Sequence, residues 1–386
     1  MTVLIGTSGW SYKDWIGVFY SSEERMLERY WAVFKTTEIN STFYEYPTYG
    51  FVRYLLKNTP PGFVYSAKVP KVITHKKLLS VKKDVLFDLK RFLDIIGILK
   101  ERDLLGPLLI QMPPKKTLDV PEFSKFIESL PDGYEWAIEF RDSSWLTDET
   151  FNLLRSNSVA YVIVDEPLLP PIIKVTADFT YVRWHGRSSR PWYYYRYNEQ
   201  ELLEWVPKIN ELETKVKVVY GYFNNHFRGF AVQNALQFLK LLGKATKEQL
   251  DILEMIQEYF KKKAISEVKV KAVEAKSLDE LLLLFVNKSR LERGKAIPDS
   301  AVFFEIEDDR IIAKVKEYQI IIDLAKKAIW HDCADWAKRI EEKKMCKHLV
   351  KLFYLLPEEQ STFILKDIST NIDIWSFNLL NEKRGD

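Results

Sequence analysis

The chain has 386 residues, more than a usual single domain, and this length favours two domains. Its net charge of +3 excludes a strongly basic nucleic-acid coat protein, and its two cysteines exclude a disulfide scaffold. The sequence shows neither a signal-peptide pattern nor an apolar run of about 18 residues, so we expect a cytoplasmic protein without a membrane partner.

Apolar segments of strand length alternate with helical patterns before about residue 226. The predicted strands are Thr2 to Gly6, Thr36 to Asn40, Phe63 to Val69, Pro107 to Met112, Trp136 to Arg141, Ala160 to Asp165, Thr180 to Gly186 and Val216 to Asn225. The clearest helices are Glu23 to Phe34, Asp84 to Leu99, Pro121 to Ser129, Thr147 to Ser156 and Glu199 to Leu212. This alternation predicts an α/β protein with a closed (β/α)8 barrel of TIM type. An open doubly wound sheet is the rival, but Gly6 and Gly9 have the wrong spacing for its phosphate loop.

Several predicted strands end in polar residues two positions apart. Glu139 and Arg141 close one strand, and Arg183 and His185 close another. Alternate residues of a strand share a face, so we expect these side chains at the carboxyl-terminal mouth, where barrel active sites lie. The strand-end set is Glu38, Asn40, Lys68, Gln111, Glu139, Arg141, Asp165, Arg183, His185, Asn224 and Asn225.

These residue types predict a site for a small polar ligand. The catalytic candidates, whose side chains can transfer protons, are Glu38, Glu139, Asp165 and His185. The substrate-binding candidates are Asn40, Lys68, Gln111, Arg141, Arg183, Asn224 and Asn225. Two alternatives stay open: the acids and the histidine hold a divalent cation, or all the charges form a self-satisfied salt-bridge network. Lys68 is interpreted as a counter-ion in preference to a Schiff-base or phosphate-binding residue.

Aromatic residues and arginines are interleaved in segment 187–197, after the seventh strand. Trp192 in this segment is a further substrate-binding candidate. Aromatic rings stack on sugars or bases, and guanidinium groups bind phosphate. The alternative is an aromatic lid that packs on the rim of the barrel.

Seven phrases occur in order along this part of the chain. They are Gly6-Thr7-Ser8-Gly9-Trp10, Glu38-Ile39-Asn40-Ser41-Thr42-Phe43-Tyr44, Thr74-His75, Gln111-Met112-Pro113-Pro114, Glu139-Phe140-Arg141, Arg183-Trp184-His185-Gly186 and Tyr222-Phe223-Asn224-Asn225-His226. Over residues 1–243 the chain therefore resembles the YecE-like family, also called domain of unknown function seventy-two. The resemblance implies a TIM-type barrel and no particular reaction.

From about residue 244 the regular alternation of strand and helix stops. Residues 244–386 are predicted to form a small α+β accessory domain. Its predicted elements are a helix at Lys247 to Lys263, a strand at Glu267 to Ala275, a helix at Leu278 to Leu291, and strands at Ala301 to Glu307 and Glu317 to Leu324.

The most specific local signal is a pair of motifs, His331-Asp332-Cys333 and Cys346-Lys347-His348. The side chains of His331, Cys333, Cys346 and His348 fit a tetrahedral structural zinc site, because thiolates and imidazoles are its usual ligands. The alternative is two buried thiols beside two incidental histidines. Residues 317–357 resemble a SWIM zinc finger, with His331 where that pattern has its first cysteine. The resemblance implies binding to DNA or to protein.

Basic residues lie between and beside these motifs. They are Lys338, Arg339, Lys343, Lys344 and Lys347, which we expect to contact DNA or RNA unless they form an ordinary solvated face. The combined expectation is an acid/base or metal-assisted hydrolase, lyase or isomerase. Its substrate would be phosphorylated, sugar-like or nucleic acid, and its zinc module would recruit nucleic acid or protein. The alternative function is a non-catalytic adaptor.

Overall fold

Strand β1 (Thr2–Ser8) pairs in parallel with β2 (Thr36–Ile39) on one side and with β8 (Val218–Phe223) on the other. The strands between them are β3 (Val64–Lys68), β4 (Leu105–Gln111), β5 (Trp136–Glu139), β6 (Val159–Asp165) and β7 (Phe179–Trp184). This computed structural model describes residues 2–188, 194–307 and 309–380, without the side chains of residues 264–273. In that part of the chain the eight parallel strands close into one barrel, which confirms the predicted TIM-type fold.

Helices alternate with the strands of the barrel. They are α1 (Met26–Val33), α2 (Ser41–Tyr44), α3 (Tyr49–Asn58), α4 (Val85–Ile96), α5 (Phe123–Glu128), α6 (Asp148–Ser156), α7 (Glu199–Leu203), α8 (Val206–Lys215), α9 (Phe230–Leu241) and α10 (Lys247–Glu274). Polar side chains define several helix starts: Thr48 accepts a hydrogen bond from the Phe51 amide at 3.2 Å, and Asn198 and Glu201 form a reciprocal capping box. Such caps satisfy amides that the first helical turn leaves without partners.

Alternate strand residues fill the interior of the barrel. This interior set contains Leu109, Ala137, Ala160, Val162, Val164, Phe179, Tyr181, Tyr220 and Tyr222. Burying each large apolar side chain stabilises the fold by about 1.5–3 kcal/mol. Two of the tyrosine hydroxyls are paired, Tyr181 with Ser66 and Tyr222 with Thr36, each at 2.7 Å. Because side chains fill the barrel below, the polar residues that follow on the same strand faces gather at its carboxyl-terminal mouth.

The chain divides into two units, Met1–Gln257 and Glu258–Asp386, and the division falls within α10. The boundary predicted near residue 244 therefore lies earlier than the structural one. Glu267 to Ala275, predicted as a strand, is helical through Glu274. The alternating valines there indicated a strand, but Lys, Glu and Ala are good helix formers and extend the preceding helix.

The second unit is built on a mixed sheet. In its described residues the strand order is β13-β12-β11-β10-β9, with β13 parallel to β12 and the other pairs antiparallel. The strands are β9 (Val302–Glu307), β10 (Arg310–Val315), β11 (Tyr318–Asp323), β12 (Ala328–His331) and β13 (Ser376–Leu379). The helices are α11 (Leu278–Leu282), α12 (Lys288–Lys295), α13 (Ala334–Ala337), α14 (Lys347–Leu355) and α15 (Glu358–Thr370). The small α+β domain is thus confirmed, although β10, β12 and β13 were not predicted.

Buried residues of the sheet and helices, including Ile329, Trp336 and Leu349, share one core in the second unit. Helices α12 and α14 approach closely at Gly294, where an added Cβ would lie only 2.4 Å from Cγ1 of Val350. A glycine is therefore required at this contact. No helix in the described residues is long and apolar enough to cross a membrane.

Candidate active site and metal cluster

The centre of the barrel mouth is a buried arginine held between two carboxylates from other strands. Arg183 on β7 donates from Nη1 to Oε2 of Glu139 at 2.5 Å and from Nη2 to Oε1 of Glu38 at 2.7 Å. Both carboxylates are fully buried and Arg183 is 1% exposed. Oε2 of Glu38 accepts a further hydrogen bond from the Tyr181 hydroxyl at 2.7 Å. The sequence brings these residues together because each is the last inward-facing position of its strand.

The second oxygen of Glu139 faces a partly exposed layer of donors. Oε1 pairs with Nη2 of Arg141 and accepts a hydrogen bond from Nε2 of Gln111 at 3.0 Å. Burial alone raises the pKa of Glu139, but Arg141 and Arg183 outweigh it and hold that pKa well below its usual range. Glu139 therefore stays ionised at neutral pH and organises the cations around it.

His185, predicted as an acid or base, is a neutral member of the same cluster. Burial, and then the charge of Arg141, lower the pKa of His185 to about 3. Its Nδ1 accepts from Nδ2 of Asn224 at 2.9 Å, and its Nε2 lies 3.5 Å from Oε1 of Glu139. His185 is therefore not poised to transfer protons near neutral pH, because it is buried beside a cation.

Glu166 joins this cluster and was missed in the sequence. Val162 and Val164 of β6 face the barrel interior, so Glu166 is the next residue of that alternation and Asp165 is not. Oε2 of Glu166 accepts a hydrogen bond from Nη1 of Arg141, while Oε1 is buried and has no hydrogen-bond partner among the described residues. Burial raises the pKa of Glu166 to about 7, against the opposing effect of Arg141. Counting the strand period from Val162 would have found this residue.

Asp165, predicted as catalytic, lies apart from the central cluster. It accepts hydrogen bonds from Nη2 of Arg187 at 2.8 Å and from the Trp205 indole nitrogen at 2.5 Å. Its strand position places it on the face opposite to Val164, toward the surrounding helices. Asp165 therefore serves the packing of the barrel wall, and its predicted catalytic role is corrected.

Lys68 ends β3 at the mouth, and its contacts differ from those of its predicted role. Its Nζ lies 4.1 Å from the centroid of the Phe43 ring, and among the described residues it has no ion-pair or hydrogen-bond partner. Glu38, the expected partner, is already occupied by Arg183 and Tyr181. Burial, and then the charge of Arg183, lower the pKa of Lys68 to about 8. Among the described residues Lys68 therefore has no paired carboxylate, which its predicted counter-ion role requires.

The remaining predicted ligand residues divide between the mouth and the barrel wall. Asn40 is partly exposed and bonds to Tyr12, while Asn224 orients His185. Asn225 is buried and donates to Oδ1 of Asn234 on α9 at 2.9 Å, so it fastens a helix to the barrel. Trp192 lies outside the described residues.

The divalent-cation alternative for the mouth does not fit these contacts. Arg183 occupies the space between Glu38 and Glu139 that a cation would need, and Asp165 is bound elsewhere. In the described part of the chain, the acids and histidine of the mouth do not gather into a metal-binding group. The guanidinium groups supply the positive charge that an ion would otherwise provide.

The second unit contains a compact His/Cys cluster that can hold a metal ion. The ligand atoms of His331, Cys333, Cys346 and His348 all lie within 4.8 Å of one another, and all four residues are buried. Sγ of Cys346 lies 3.7 Å from Nδ1 of His348, and bonds of about 2.3 and 2.05 Å to a tetrahedral ion would put sulfur and nitrogen about 3.6 Å apart.

The surroundings of the cluster orient its ligands. Nδ1 of His331 donates to the carbonyl oxygen of Gln319 at 2.5 Å, which leaves Nε2 as the acceptor nitrogen. Nε2 of both histidines is buried without a hydrogen-bond partner among the described residues. The Cys346 thiol donates to Cys333 and lowers the pKa of the Cys333 thiol. Coordination to a metal ion would satisfy the buried Nε2 of His331, whereas His348 faces Cys346 through Nδ1.

The side chains predicted to bind nucleic acid mostly contact other residues of the second unit. Nζ of Lys343 donates to the carbonyl oxygens of Ile372 and Trp375, the latter at 2.7 Å. Nζ of Lys344 donates to the carbonyl of Leu284 at 2.9 Å, and Arg339 bonds to Asp335 at 3.1 Å. Lys338 is exposed and Lys347 is partly exposed. The five cations therefore do not form one open phosphate-binding surface.

The closed parallel barrel with its polar residues collected at the carboxyl-terminal mouth defines the first unit as a TIM-type barrel protein. The chain belongs to the family described as "Protein of unknown function DUF72", which matches residues 4–258. This agrees with the resemblance carried by the seven sequence phrases.

Relatives support the same assignment. The chain is 27% identical to the UPF0759 protein YunF of Bacillus subtilis, over 62% of this chain and 94% of that protein. A solved DUF72 family protein from Thermotoga maritima is 37% identical, with a TM-score of 0.57 over 63% of this chain and all of the other. A DUF72 family protein from Enterococcus faecalis, 22% identical, shares the fold with a TM-score of 0.54 over 64% of this chain and 97% of the other. These names report no reaction, so function must come from the site.

Proposed function

We propose that the barrel mouth is an acid–base active site for a small anionic compound, phosphorylated or sugar-like. One observation carries this proposal: Arg141 joins two carboxylates, Glu139 and Glu166, whose pKa values are shifted in opposite directions. Pairs of titratable groups whose pKa values are shifted in opposite directions are typical of acid/base sites. Glu166 exchanges a proton near neutral pH, and Glu139 stays ionised to hold the cations in place.

The charge of the cluster favours an anionic ligand. At a pH where Glu166 is protonated, the cations Lys68, Arg141 and Arg183 face the two ionised carboxylates Glu38 and Glu139, which leaves a net charge of +1 (three minus two). Partly exposed amides, Asn40, Gln111 and Asn224, supply neutral hydrogen-bonding groups. Such a combination suits a phosphate or carboxylate that carries hydroxyl groups.

The main alternative is a structural salt-bridge network in a non-catalytic adaptor. In such a network we expect the buried polar atoms to be satisfied internally, as in most protein cores. The two terminal nitrogens of Arg183, which bond to Glu38 and Glu139, meet that expectation, whereas its Nε has no partner among the described residues. Oε1 of Glu166 does not meet it, because this oxygen is buried and has no hydrogen-bonding partner among the described residues. The unpartnered oxygen of Glu166 beside Arg141 favours a ligand site.

The proposal can be tested by ligand-induced stabilisation of the full chain. Orthophosphate, ribose 5-phosphate, glucose 6-phosphate and the unphosphorylated sugars are compared by thermal shift, and any stabilising compound is then followed by NMR for turnover. We expect a phosphorylated compound to stabilise the wild type and to lose most of its effect with Glu166→Gln.

Glu135→Gln is the matched control, since Glu135 lies at the opposite end of β5, where it accepts a hydrogen bond from Tyr220 at 3.0 Å. Loss of the shift in Glu166→Gln and its retention in Glu135→Gln supports the proposal. If no compound stabilises the protein, or Glu166→Gln responds like the wild type, the mouth is a structural network.

We also propose that the His331, Cys333, Cys346 and His348 cluster binds structural zinc and that the second unit is a SWIM-type module. The unpartnered Nε2 of His331 and the paired thiols support zinc, because two sulfur and two nitrogen donors suit this ion. Lys343 and Lys344 are committed to backbone carbonyls, which leaves few cations for phosphates. A protein partner is therefore favoured over DNA or RNA.

A further inference from the structure

Lys68 differs from the other cations of the barrel mouth in having no paired carboxylate among the residues that the structure describes. Both oxygens of Glu38 are taken by Arg183 and Tyr181, and Oε1 of Glu139 is taken by Arg141 and Gln111. Among the described residues the contact given for Nζ of Lys68 is the face of Phe43, 4.1 Å from the ring centroid. An ammonium group fixed in this way is held at the mouth without being neutralised.

The surroundings of Lys68 increase the fraction of its amine that is unprotonated at neutral pH. Lys68 is partly exposed, but desolvation and the charges of Arg183 and Arg141 oppose protonation of its amine while Glu38 and Glu139 favour it, with a pKa of about 8 as the result. Burial, and then the charge of Lys68, lower the pKa of His75, whose ring lies 5.0 Å from that of Phe43. At pH 7 about one tenth of Lys68 is then unprotonated, roughly two orders of magnitude more than for an ordinary lysine.

We propose that Lys68 is a nucleophile that forms an imine with a small anionic aldehyde or ketone in the barrel mouth. The proposal rests on the proposed function and specifies the substrate as a carbonyl compound. Lysines activated by burial and neighbouring cations perform this chemistry in covalent catalysis. Its position at the end of a barrel strand is where such residues act in this fold.

The covalent step balances without a metal or an oxidant. The free amine attacks the carbonyl carbon to form the C–N bond, and the carbonyl π electrons move to oxygen, which takes up a proton. Loss of that oxygen as water gives the protonated imine, so the ammonium form of Lys68 and the carbonyl compound yield the iminium ion and one water. The iminium ion then withdraws electrons from the adjacent carbon, where a base can remove a proton.

The test traps the imine by reduction. The full-length protein is incubated with glyceraldehyde 3-phosphate, dihydroxyacetone phosphate or pyruvate in the presence of sodium cyanoborohydride and then digested for peptide mass spectrometry. A reduced imine adds the mass of the carbonyl compound less one oxygen atom. We expect this adduct on Lys68 at least tenfold faster than on Lys71.

Lys71 is the matched internal reference because its Nζ also stacks on an aromatic ring, 5.3 Å from the centroid of Tyr44. Lys68→Arg keeps the positive charge and should abolish the adduct, whereas Lys71→Arg should leave it unchanged. Labelling of Lys68 no faster than Lys71, or no adduct at Lys68 with any of the three compounds, overturns the inference.

The two proposals fail in different ways. If a phosphorylated compound stabilises the protein through Glu166 but no adduct forms at Lys68, the imine is wrong and the acid–base site stands. If the thermal-shift screen finds no ligand and no adduct forms, both are wrong. A trapped adduct at Lys68 supports the imine, and its loss in Glu166→Gln would further connect the two groups.

Discussion

Glu139 and Glu166 pair with the two terminal nitrogens of the same guanidinium group, that of Arg141. Glu139 is also paired with Arg183 at 2.5 Å, whereas Glu166 has a buried oxygen without a partner among the described residues. This difference explains why one carboxyl keeps a low pKa and the other a raised one. The predictions for the barrel mouth follow from it.

Glu166 should make the protein less stable as the pH rises. The unfolded carboxyl ionises near pH 4.5 and the folded one near pH 7, so between these values the folded state holds one more proton. The free energy of unfolding should therefore fall by up to about 3 kcal/mol across this range relative to Glu166→Gln. Urea unfolding of both proteins at pH 4.5 and 7.5 measures the difference. Glu128→Gln, at an exposed position, is the control and should track the wild type.

Arg183→Met should destabilise the barrel strongly. The substitution leaves Glu38 and Glu139 buried without their main counter-charge, and losses of about 3–5 kcal/mol are typical of a broken buried pair. Adding Glu38→Gln and Glu139→Gln to this variant should restore part of the loss, as chemical denaturation can measure. Arg91→Met, at an exposed arginine over Tyr46, should cost less than about 1 kcal/mol. A stable Arg183→Met variant would contradict the described contacts.

The metal cluster should govern the stability of the second unit. Purified protein is expected to contain about one equivalent of zinc, and Cys346→Ser should lose it because one of four ligands is removed. Hydrogen-exchange mass spectrometry should then show loss of protection in residues 317–357 and little change in β1 to β8. Met345→Leu, at a buried neighbour that offers no ligand, should retain the metal. Metal-free wild-type protein with full protection would refute the site.

Lys343 should contribute to the stability of the second unit, whereas the exposed Lys338 should not. Lys343→Met removes the donor to the carbonyls of Ile372 and Trp375 and should cost about 1–3 kcal/mol. Lys338→Met, at an exposed position, should leave stability unchanged. Urea unfolding of the two variants decides between these roles.

Nucleic-acid binding gives a separate measurement on the same module. We expect the full chain to bind single-stranded DNA or RNA no more tightly than about micromolar at physiological salt, the range of non-specific binding. If binding occurs, replacing Lys338 and Lys347 should flatten its salt dependence by at most about two phosphate contacts. Tight, sequence-selective binding would favour a nucleic-acid partner over a protein partner.

The sequence by itself determined the barrel and the His/Cys cluster. Strand and helix periods are local, so the order of elements could be predicted before the fold was known, and the spacing of Cys333 and Cys346 within their motifs identified the cluster. Glu38, Glu139 and Arg183 were found in the same way, because residues at strand ends converge in a closed barrel.

Only the tertiary structure decided which of these side chains form ion pairs and hydrogen bonds with one another. The choice between Asp165 and Glu166 depends on which face of β6 turns inward, and the state of His185 depends on burial beside Arg141. In the part of the chain that the structure describes, Lys68 has no ion pair, because Arg183, from a distant part of the chain, already occupies Glu38. Hydrogen bonds and pKa shifts arise between atoms that come into contact only when the strands close into the barrel. A local sequence pattern therefore cannot predict them.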